Sequence, residues 1–413
     1  MFEVALQCIA CGKSFDLRDH YLCDRCQGIL EVQYDYGSLK GKPAEQLFPA
    51  PAPGAGIWRY RSFLPVRSES SMVTLYEGGT PLVQAANLGR ALGHEQLYCK
   101  DETRNPSGAF KDRPISVGVS KAVELGFDTV TTASSGNGAA SLSIYAAKAG
   151  LRCIVFVPEK TPIAKVAHAV TAGATVVRVR GDYSNSYALA GAASARYRWM
   201  NITTTFLNPY TFEGDKTVAY ELYGQLEGGA PDWIIVPTGA GPLLYGIWKG
   251  FEELNRLGLS DKLPRMVAAQ AEGCQPIVRA FQDDRPVAAW EAVDTVASAI
   301  ADPLRGYEKD GELVVRTIHK SKGQAVAASD GEIIESVREL AEREGLFVEP
   351  AAATSICALK GLLKKGLIGH KEKVVCLLTG HGLKDPQSSI RDREVPLVDP
   401  GVEGLERLNL GKR

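Results

Sequence analysis

A lysine in the stretch NPSGAFKDRP, residues 105–114, stands in surroundings that suit covalent chemistry. Lys111 follows an aromatic residue and a Pro-Ser-Gly turn, and an Asp-Arg pair comes directly after it. A lysine that acts as an amine nucleophile must be aimed at one carbon and partly desolvated, so that it loses its proton. The same residues also fit an ordinary turn followed by the charged first turn of a helix, with a solvated lysine. The segment alone leaves both interpretations open.

Four cysteines near the N-terminus have the spacing of a metal site. Cys8, Cys11, Cys23 and Cys26 form two C-x2-C pairs that are separated by eleven residues. Such spacing supplies four thiolates for a tetrahedral Zn²⁺ in a small zinc ribbon. Four protein ligands close the coordination sphere, so no position is left for a substrate. The pattern therefore predicts a structural zinc site.

Three further segments are rich in glycine and small polar residues. ASSGNGAAS (133–141) and PTGAGPLLYG (237–246) each follow a strand-like run, and backbone amides at such a turn into a helix bind anions. LLTGHGLKD (377–385) ends the last strand-like run with Thr379. An amino acid offers a carboxylate, and pyridoxal phosphate offers a phosphate together with an aldehyde for a lysine. Two predicted anion sites and a framed lysine indicate amino-acid chemistry on this cofactor.

The elements between these segments must hold them in place. From about Thr129 onward, short β-branched runs alternate with helical stretches. The strand candidates are TVTTA, RCIVFVP, ATVVRV, DWIIVP, MVAAQA and KVVCLLTG. Near-continuous apolar strands separated by helices predict an α/β fold whose parallel sheets are buried on both faces. Such sheets bind ligands at the carboxyl ends of their strands, where the glycine-rich segments lie.

Composition sets the broad class of the protein. The chain has 413 residues, of which 45% are hydrophobic and 23% charged, as in ordinary soluble proteins. The net charge of −1 gives no electrostatic basis for binding nucleic acid or an anionic membrane, and no apolar run is long enough to span a bilayer. Five cysteines outside the cluster are scattered singly, which indicates reduced thiols in a cytoplasmic protein.

Taken together, the motifs resemble those of the threonine synthase family, within the fold-type II (tryptophan synthase β-like) pyridoxal-phosphate enzymes. The resemblance covers most of the chain and lies in EGGTPL, NPSGAFKDR, SSGN, EGDKT, VPTGAG, EPAAATS and LTGHGLKDP. It implies two parallel-sheet α/β domains plus a small N-terminal zinc ribbon. We expect the ribbon over residues 1–35, a large cofactor-binding domain over 36–117 and 215–413, and a small domain over 118–214.

The resemblance also implies roles for single residues. Lys111 would be the catalytic residue, which forms a Schiff base with pyridoxal phosphate and later moves the Cα proton of the substrate. The other cofactor contacts would be Asn137 at the 3′-oxygen, Gly239, Ala240 and Gly241 at the phosphate, and Thr379 at the pyridine nitrogen. The substrate carboxylate would be held by Ser134, Ser135 and the neighbouring amides, among them that of Gly136.

The substrate pocket departs from the family's pattern. Gly138 stands where the family usually has a threonine, and Thr211 stands where an arginine grips the substrate phosphate. Phe206 and Pro242 replace a polar residue each. Because an arginine–phosphate pair is strong and geometrically specific, its loss predicts a pocket less suited to phosphate. We expect Gly138, Phe206 and Thr211 to contact the substrate, with Phe206 making the pocket more apolar.

The sequence thus predicts a pyridoxal-phosphate-dependent lyase or synthase that eliminates or replaces a group on the side chain of an amino acid. A hydroxyl such as that of Thr379 holds a proton on the ring nitrogen poorly, which favours departure of a group at Cβ or Cγ over transamination. The altered phosphate pocket favours reaction at Cβ. One alternative is a true threonine synthase that converts O-phosphohomoserine to threonine. Another is a non-catalytic zinc-ribbon interaction protein on a degenerate scaffold. The resemblance further implies a homodimer.

Overall fold

The computed structural model describes residues 3–48, 54–227, 229–390 and 395–398, together with residues 400, 402, 405 and 408. In this part of the chain, thirteen strands form three sheets. The strands are β1 (Glu3–Cys8), β2 (Ser14–Phe15), β3 (Leu30–Tyr34), β4 (Leu82–Gln84), β5 (Leu97–Asp101), β6 (Thr129–Ala133), β7 (Arg152–Pro158), β8 (Thr175–Val179), β9 (Met200–Asn201), β10 (Trp233–Pro237), β11 (Arg265–Ala271), β12 (Gln324–Ala328) and β13 (Val374–Leu378).

Helices connect most of these strands. Within the described residues they are α1 (Ala44–Leu47), α2 (Ala86–Leu92), α3 (Asp112–Glu124), α4 (Asn137–Ala149), α5 (Ile163–Thr171), α6 (Tyr183–Tyr197), α7 (Phe212–Asp215), α8 (Thr217–Gln225), α9 (Pro242–Arg256), α10 (Pro276–Asp283), α11 (Glu308–Lys320), α12 (Asp330–Glu344), α13 (Pro350–Lys364) and α14 (Pro386–Ile390). Short 3-10 turns lie at Gly56–Phe63, Glu69–Ser71, Glu102–Arg104, Ser298–Ile300 and Gly382–Lys384.

The first sheet belongs to the N-terminal segment and is antiparallel, in the order β2-β1-β3. The second sheet has the order β8-β7-β6-β9, and all its pairs are parallel. Every residue of β6 is buried, which explains why its sequence is not an alternation of apolar and polar residues.

The third sheet has the order β12-β11-β10-β13-β5-β4. Five of its strands are parallel, while β4 pairs antiparallel with β5 at one edge, so this sheet is mixed and not purely parallel. Alternate residues of β10 enter different cores: Ile234 and Val236 pack in the core that contains α9, and Ile235 packs in the core that contains α13. The predicted α/β architecture is therefore confirmed.

The second sheet is formed by residues 129–201, and the third by residues 82–101 and 233–378. Helix α3, residues 112–124, runs through position 117, where the sequence led us to expect a domain limit. The carboxyl ends of β6, β10 and β13 lead directly into the three glycine-rich segments.

Candidate active site

A cavity of about 450 Å³ collects the three glycine-rich segments. Its lining includes residues 133–138 after β6, residues 239–243 after β10 and Thr379 after β13. Lys111 also lines it, as does the segment 298–302. Residues that are far apart in sequence therefore meet at the carboxyl ends of strands from two different sheets, where ligands of α/β proteins bind.

The side chain of Lys111 is half-buried in this cavity, one residue before α3 begins. Its Nζ donates a hydrogen bond of 2.6 Å to Oγ1 of Thr204 and lies 4.7 Å from the centre of the Phe110 ring. Burial lowers the pKa of the Lys111 amine to about 8, against the opposing effect of Asp215 and Asp302. A substantial fraction of this amine is therefore neutral at mildly alkaline pH, as an amine nucleophile requires.

The two charged residues after the lysine are buried, so they are not a solvated first helical turn. Asp112 accepts a hydrogen bond of 2.6 Å from the hydroxyl of Ser141 in α4, and burial raises its pKa to about 6. Arg113 is fully buried and pairs with Glu102 and Glu221, each at 2.7 Å. These pairs fix the start of α3, because a buried charge without its partner costs several kcal/mol. They explain why the lysine is framed by charges.

The turn after β6 opens α4 toward the cavity. Asn137 is the first residue of α4, and its Nδ2 donates a hydrogen bond of 2.8 Å to Oε1 of Glu349. At Gly138 a Cβ atom would lie 3.1 Å from Oγ of Ser134 and 3.6 Å from Oγ1 of Thr204. A larger residue at this position would therefore crowd the cavity wall beside the lysine's hydrogen-bond partner. Ser134, Ser135 and Gly136 line the same wall.

The turn after β10 forms an anion cradle. The amides of Gly239, Ala240 and Gly241 donate no hydrogen bond within the described residues, and they lie at the N-terminus of the 15-residue helix α9. Gly241 has φ +99°, and a Cβ atom there would lie 2.1 Å from Cγ2 of Val314. Free amides at the positive end of a helix bind a phosphate or carboxylate.

The third segment joins the lysine to the large sheet. Thr379 is 4% exposed and lines the cavity. Its carbonyl accepts a hydrogen bond of 3.0 Å from the amide of Phe110, the residue before Lys111. Thr379, directly after β13, thus carries a hydroxyl at the cavity and also holds the backbone next to Lys111.

Several residues of the cavity were not predicted. Thr204 comes from a run of three threonines after β9, and Asp302 comes from a loop without a motif. Glu349 and Lys384 also line the cavity. Both stand in motifs that carry the resemblance, EPAAATS and LTGHGLKDP, which is the signal that could have identified them. Burial raises the pKa of Glu349 to about 7, so its protonation state varies near neutral pH.

The structure places Phe206 and Thr211 away from the cavity, contrary to the expectation that they contact the substrate. Phe206 is fully buried, and its ring centre lies 5.5 Å from that of Phe212 and 5.6 Å from that of Tyr245. The hydroxyl of Thr211 donates to the carbonyl of Asn208 at 2.9 Å. Both side chains make contacts inside the protein and do not line the cavity, so we do not propose them as substrate contacts.

The four N-terminal cysteines do come together. The Sγ atoms of Cys8 and Cys26 are 3.5 Å apart, those of Cys11 and Cys23 are 3.6 Å apart, and all four lie within 4.8 Å of one another. A zinc tetrahedron with bonds of about 2.3 Å has sulfur–sulfur edges of roughly 3.8 Å. At Gly28 a Cβ atom would lie 2.8 Å from Sγ of Cys8, so only glycine leaves room for the thiols. The cluster fits a zinc ion.

We expect purified protein to contain about one zinc per chain. Cys23→Ser should remove most of the metal and lower the melting temperature, because a structural zinc contributes directly to folding. Metal analysis and thermal melts measure both effects. Cys153→Ser, which changes a buried thiol outside the cluster, is the control and should keep the metal. A metal-free wild type with normal stability would contradict the prediction.

Known proteins with a similar sequence or fold identify the class of enzymes to which this chain belongs. Residues 73–380 match the family described as "Pyridoxal-phosphate dependent enzyme". The fold agrees: a maize serine racemase superposes with a TM-score of 0.63 at 20% identity, covering 80% of this chain and 92% of that one. The chain therefore belongs to the fold-type II pyridoxal-phosphate-dependent enzymes.

Two curated relatives identify the family of this chain within that class. A threonine synthase of Methanocaldococcus jannaschii is 42% identical over 97% of this chain and 98% of its own length. A threonine synthase of Methanosarcina acetivorans is 40% identical over 98% of this chain and 99% of its own length. The chain is thus a member of the threonine synthase family, and it is a pyridoxal-phosphate-dependent lyase as the sequence predicted. Among the described residues, no helix is long and apolar enough to cross a membrane.

The residues that line this cavity match the chemical groups of pyridoxal phosphate. A half-buried lysine with a lowered pKa lies in the same 450 Å³ cavity as a cradle of three amides that donate no hydrogen bond to any described residue. The cradle depends on a glycine whose Cβ would collide with Val314. An aldehyde and a phosphate on one molecule match these two features.

Proposed function

We propose that this enzyme eliminates or replaces a group on the side chain of an amino acid, with Lys111 as the catalytic residue. The observation that carries the proposal is the joint position of a desolvated lysine and a phosphate cradle in one cavity. When bound, pyridoxal phosphate supplies an electron sink for negative charge at the substrate's Cα. Gly239, Ala240 and Gly241 would hold its phosphate.

Lys111 would carry the Cα proton. Its lowered pKa of about 8 lets the amine both accept and return a proton near neutral pH. Thr204, whose Oγ1 lies 2.6 Å from Nζ, orients the amine. Ser134, Ser135 and Gly136 would hold the substrate carboxylate at the open turn before α4, where backbone amides favour an anion.

Asn137 and Thr379 would contact the ring of the cofactor. Thr379 offers a hydroxyl and not a carboxylate to the ring nitrogen, and a hydroxyl does not hold a proton there. Charge at Cα is then less delocalised, so loss of a neighbouring group competes well with reprotonation. This choice of residue favours loss or replacement of a group at Cβ or Cγ over transamination, and the altered phosphate pocket favours Cβ.

The cavity suggests a substrate with an uncharged or hydroxylated side chain. Thr203, Thr204 and Thr205 line it, the hydroxyl of Thr204 lies at the amine of Lys111, and none of the described residues that line it is an arginine. Of its cations, Lys165 donates to Oγ of Ser298, and the remaining basic lining residues besides Lys111 are His168 and Lys384. These groups offer point charges and not the bidentate grip that an arginine gives a phosphate.

We therefore expect O-phosphohomoserine to be a poor substrate. Each charge-assisted hydrogen bond that a phosphate lacks is worth roughly 1.5–3 kcal/mol, which is at least tenfold in affinity. Steady-state kinetics with O-phosphohomoserine, homoserine, serine and threonine test this. Homoserine is the matched control, because it differs from the first compound only by the phosphate.

Threonine synthesis is the second candidate, and the identity of 40–42% to threonine synthases over the full length favours it. It would require Lys165 or Lys384 to hold the substrate phosphate. If threonine forms from O-phosphohomoserine with kcat/KM of about 10⁴ M⁻¹s⁻¹ or more, this candidate is correct and our substrate class is wrong.

We further propose that Cys8, Cys11, Cys23 and Cys26 hold a structural zinc, since their sulfurs have tetrahedral spacing. The five remaining thiols are buried and unpaired, which supports work in the reducing cytoplasm. The homodimer stays a prediction from the family, and light scattering of the purified protein measures it.

A further inference from the structure

A buried cluster of charges lies between the N-terminal ribbon and the helices α7 and α9. It consists of Glu213, Lys216, Lys249 and Glu253, and we call it the Glu213 cluster. The side chains of Glu213 and Lys216 are completely buried, and those of Lys249 and Glu253 are 7% and 1% exposed. The proposed chemistry at Lys111 uses none of these groups.

Glu213 stands at the centre of the cluster. Its Oε1 lies 2.6 Å from Nζ of Lys249, and its Oε2 lies 2.6 Å from Nζ of Lys216. Lys216 also reaches Oε1 of Glu253 at 3.0 Å. Burial opposes ionisation of Glu213, but the two lysines hold its pKa below the ordinary value. The cluster is therefore an ionised, geometrically fixed unit in the interior.

The hydroxyl of Tyr220 in α8 donates to Oε2 of Glu253, and the other partners come from the N-terminal segment. The hydroxyl of Tyr34, at the end of β3, donates a hydrogen bond of 2.8 Å to Oε2 of Glu213. The hydroxyl of Tyr36 donates to Oε1 of Glu253 at 2.8 Å, and Lys249 donates to the carbonyl of Val32 at 2.7 Å. Glu31 adds an ion pair of 3.5 Å to Lys249, so the ribbon and the residue that follows it, Tyr36, are bonded into the cluster at four points.

The helices that carry the cluster also carry parts of the candidate site. α7 ends at Asp215, which raises the pKa of Lys111 when it is ionised, while burial raises its own pKa to about 8. One carboxyl oxygen of Asp215 is buried and has no hydrogen-bond partner among the described residues. α9 begins at the phosphate cradle. The two helices touch closely, because a Cβ at Gly246 would lie 2.7 Å from Cβ of Asp215. A shift of α7 or α9 is therefore transmitted to both features.

We propose that Glu213 is a positioning residue through which the ribbon fixes α7 and α9, and hence the surroundings of Lys111 and the phosphate cradle. This inference rests on the proposed function of those two features. A buried ionic unit often stabilises a fold no more than apolar packing of the same volume does, so we assign to this cluster a role in fixing geometry. The ribbon then acts on the site from outside it, without touching substrate or cofactor.

Tyr34→Phe tests the proposal, because it removes one hydrogen bond while Glu213 keeps both lysines. We expect the dissociation constant of pyridoxal phosphate to rise about tenfold, the effect of one hydrogen bond to a charged group. Visible circular dichroism of the bound cofactor should change, and amides of residues 212–225 should exchange faster. Tyr21→Phe is the matched control: its hydroxyl accepts from the amide of Asn201, which links the ribbon to β9 and not to α7.

Glu213→Gln, if it folds, should have a larger effect than Tyr34→Phe on the same three measurements. Unchanged cofactor affinity and circular dichroism in Tyr34→Phe, with faster exchange or a lower melting temperature only, would show a merely structural role and overturn the proposal. Equal effects in Tyr21→Phe would also overturn it. A wild type that binds no cofactor at Lys111 would instead refute the proposed function.

Discussion

Lys111→Ala should leave a folded protein that no longer binds pyridoxal phosphate covalently and whose turnover falls by several orders of magnitude. The substitution removes the amine that bonds the cofactor and moves the substrate proton, and covalent catalysts have effects of this size. The fold should survive, because the amine is half-buried and its hydrogen bond is to a single hydroxyl, that of Thr204. The visible spectrum and single-turnover rates measure the loss.

The chain offers a control lysine in the same cavity. Lys165 also lines it, and among the described residues its Nζ donates a single hydrogen bond, to the exposed hydroxyl of Ser298. Lys165→Ala should keep the cofactor's absorption band and its attachment. If Lys111→Ala retains the band while Lys165→Ala loses it, the assignment of the two lysines is reversed.

Gly241→Ala is expected to reduce the affinity for pyridoxal phosphate by at least tenfold. The residue has φ +99°, and the new Cβ would lie 2.1 Å from Cγ2 of Val314. A non-glycine residue in such a conformation costs about 1–3 kcal/mol, and relief of the clash moves the cradle amides. Titration of the apoprotein with pyridoxal phosphate gives the dissociation constant, and far-ultraviolet circular dichroism checks the fold.

Gly239→Ala is the matched control within the same turn. Its Cβ would meet its nearest atoms, in Ile300 and Asp302, at 3.5 Å, which is ordinary van der Waals contact. We expect a much smaller change in affinity. Equal affinities of wild type and Gly241→Ala would mean that the phosphate is held elsewhere in the cavity.

The strands that could be predicted are those whose burial is continuous. β6, β7 and β10 were expected from β-branched runs, and the structure places them within a residue or two of the expected bounds. Two others gave no such signal. β5 reads LYCKD, because its Lys100 is buried in an ion pair with Glu221, and β12 reads QAVAA, which is rich in alanine.

The parts of the site that could be predicted are those in glycine-rich turn segments, which are recognisable in the sequence. The segments of Asn137 and Gly241 follow the carboxyl ends of β6 and β10, and the segment of Lys111 is bonded to Thr379 after β13, so all three meet in one cavity. Phe206 could not be placed from the sequence, since its orientation depends on packing against Tyr245, far along the chain. Thr211 is turned into a local hydrogen bond to the carbonyl of Asn208, which its sequence position did not reveal. Thr204 and Asp302, which lie near Lys111, come from loops without a distinctive sequence pattern.

Borohydride reduction of the cofactor-loaded protein, followed by peptide mapping, shows which lysine is bonded to the cofactor. The reduction makes the bond between cofactor and lysine permanent, so the labelled residue is identified by mass. We expect one pyridoxyl group per chain, on Lys111. A label on Lys165, Lys384 or any other lysine, or no label in protein that has bound pyridoxal phosphate, would contradict this assignment.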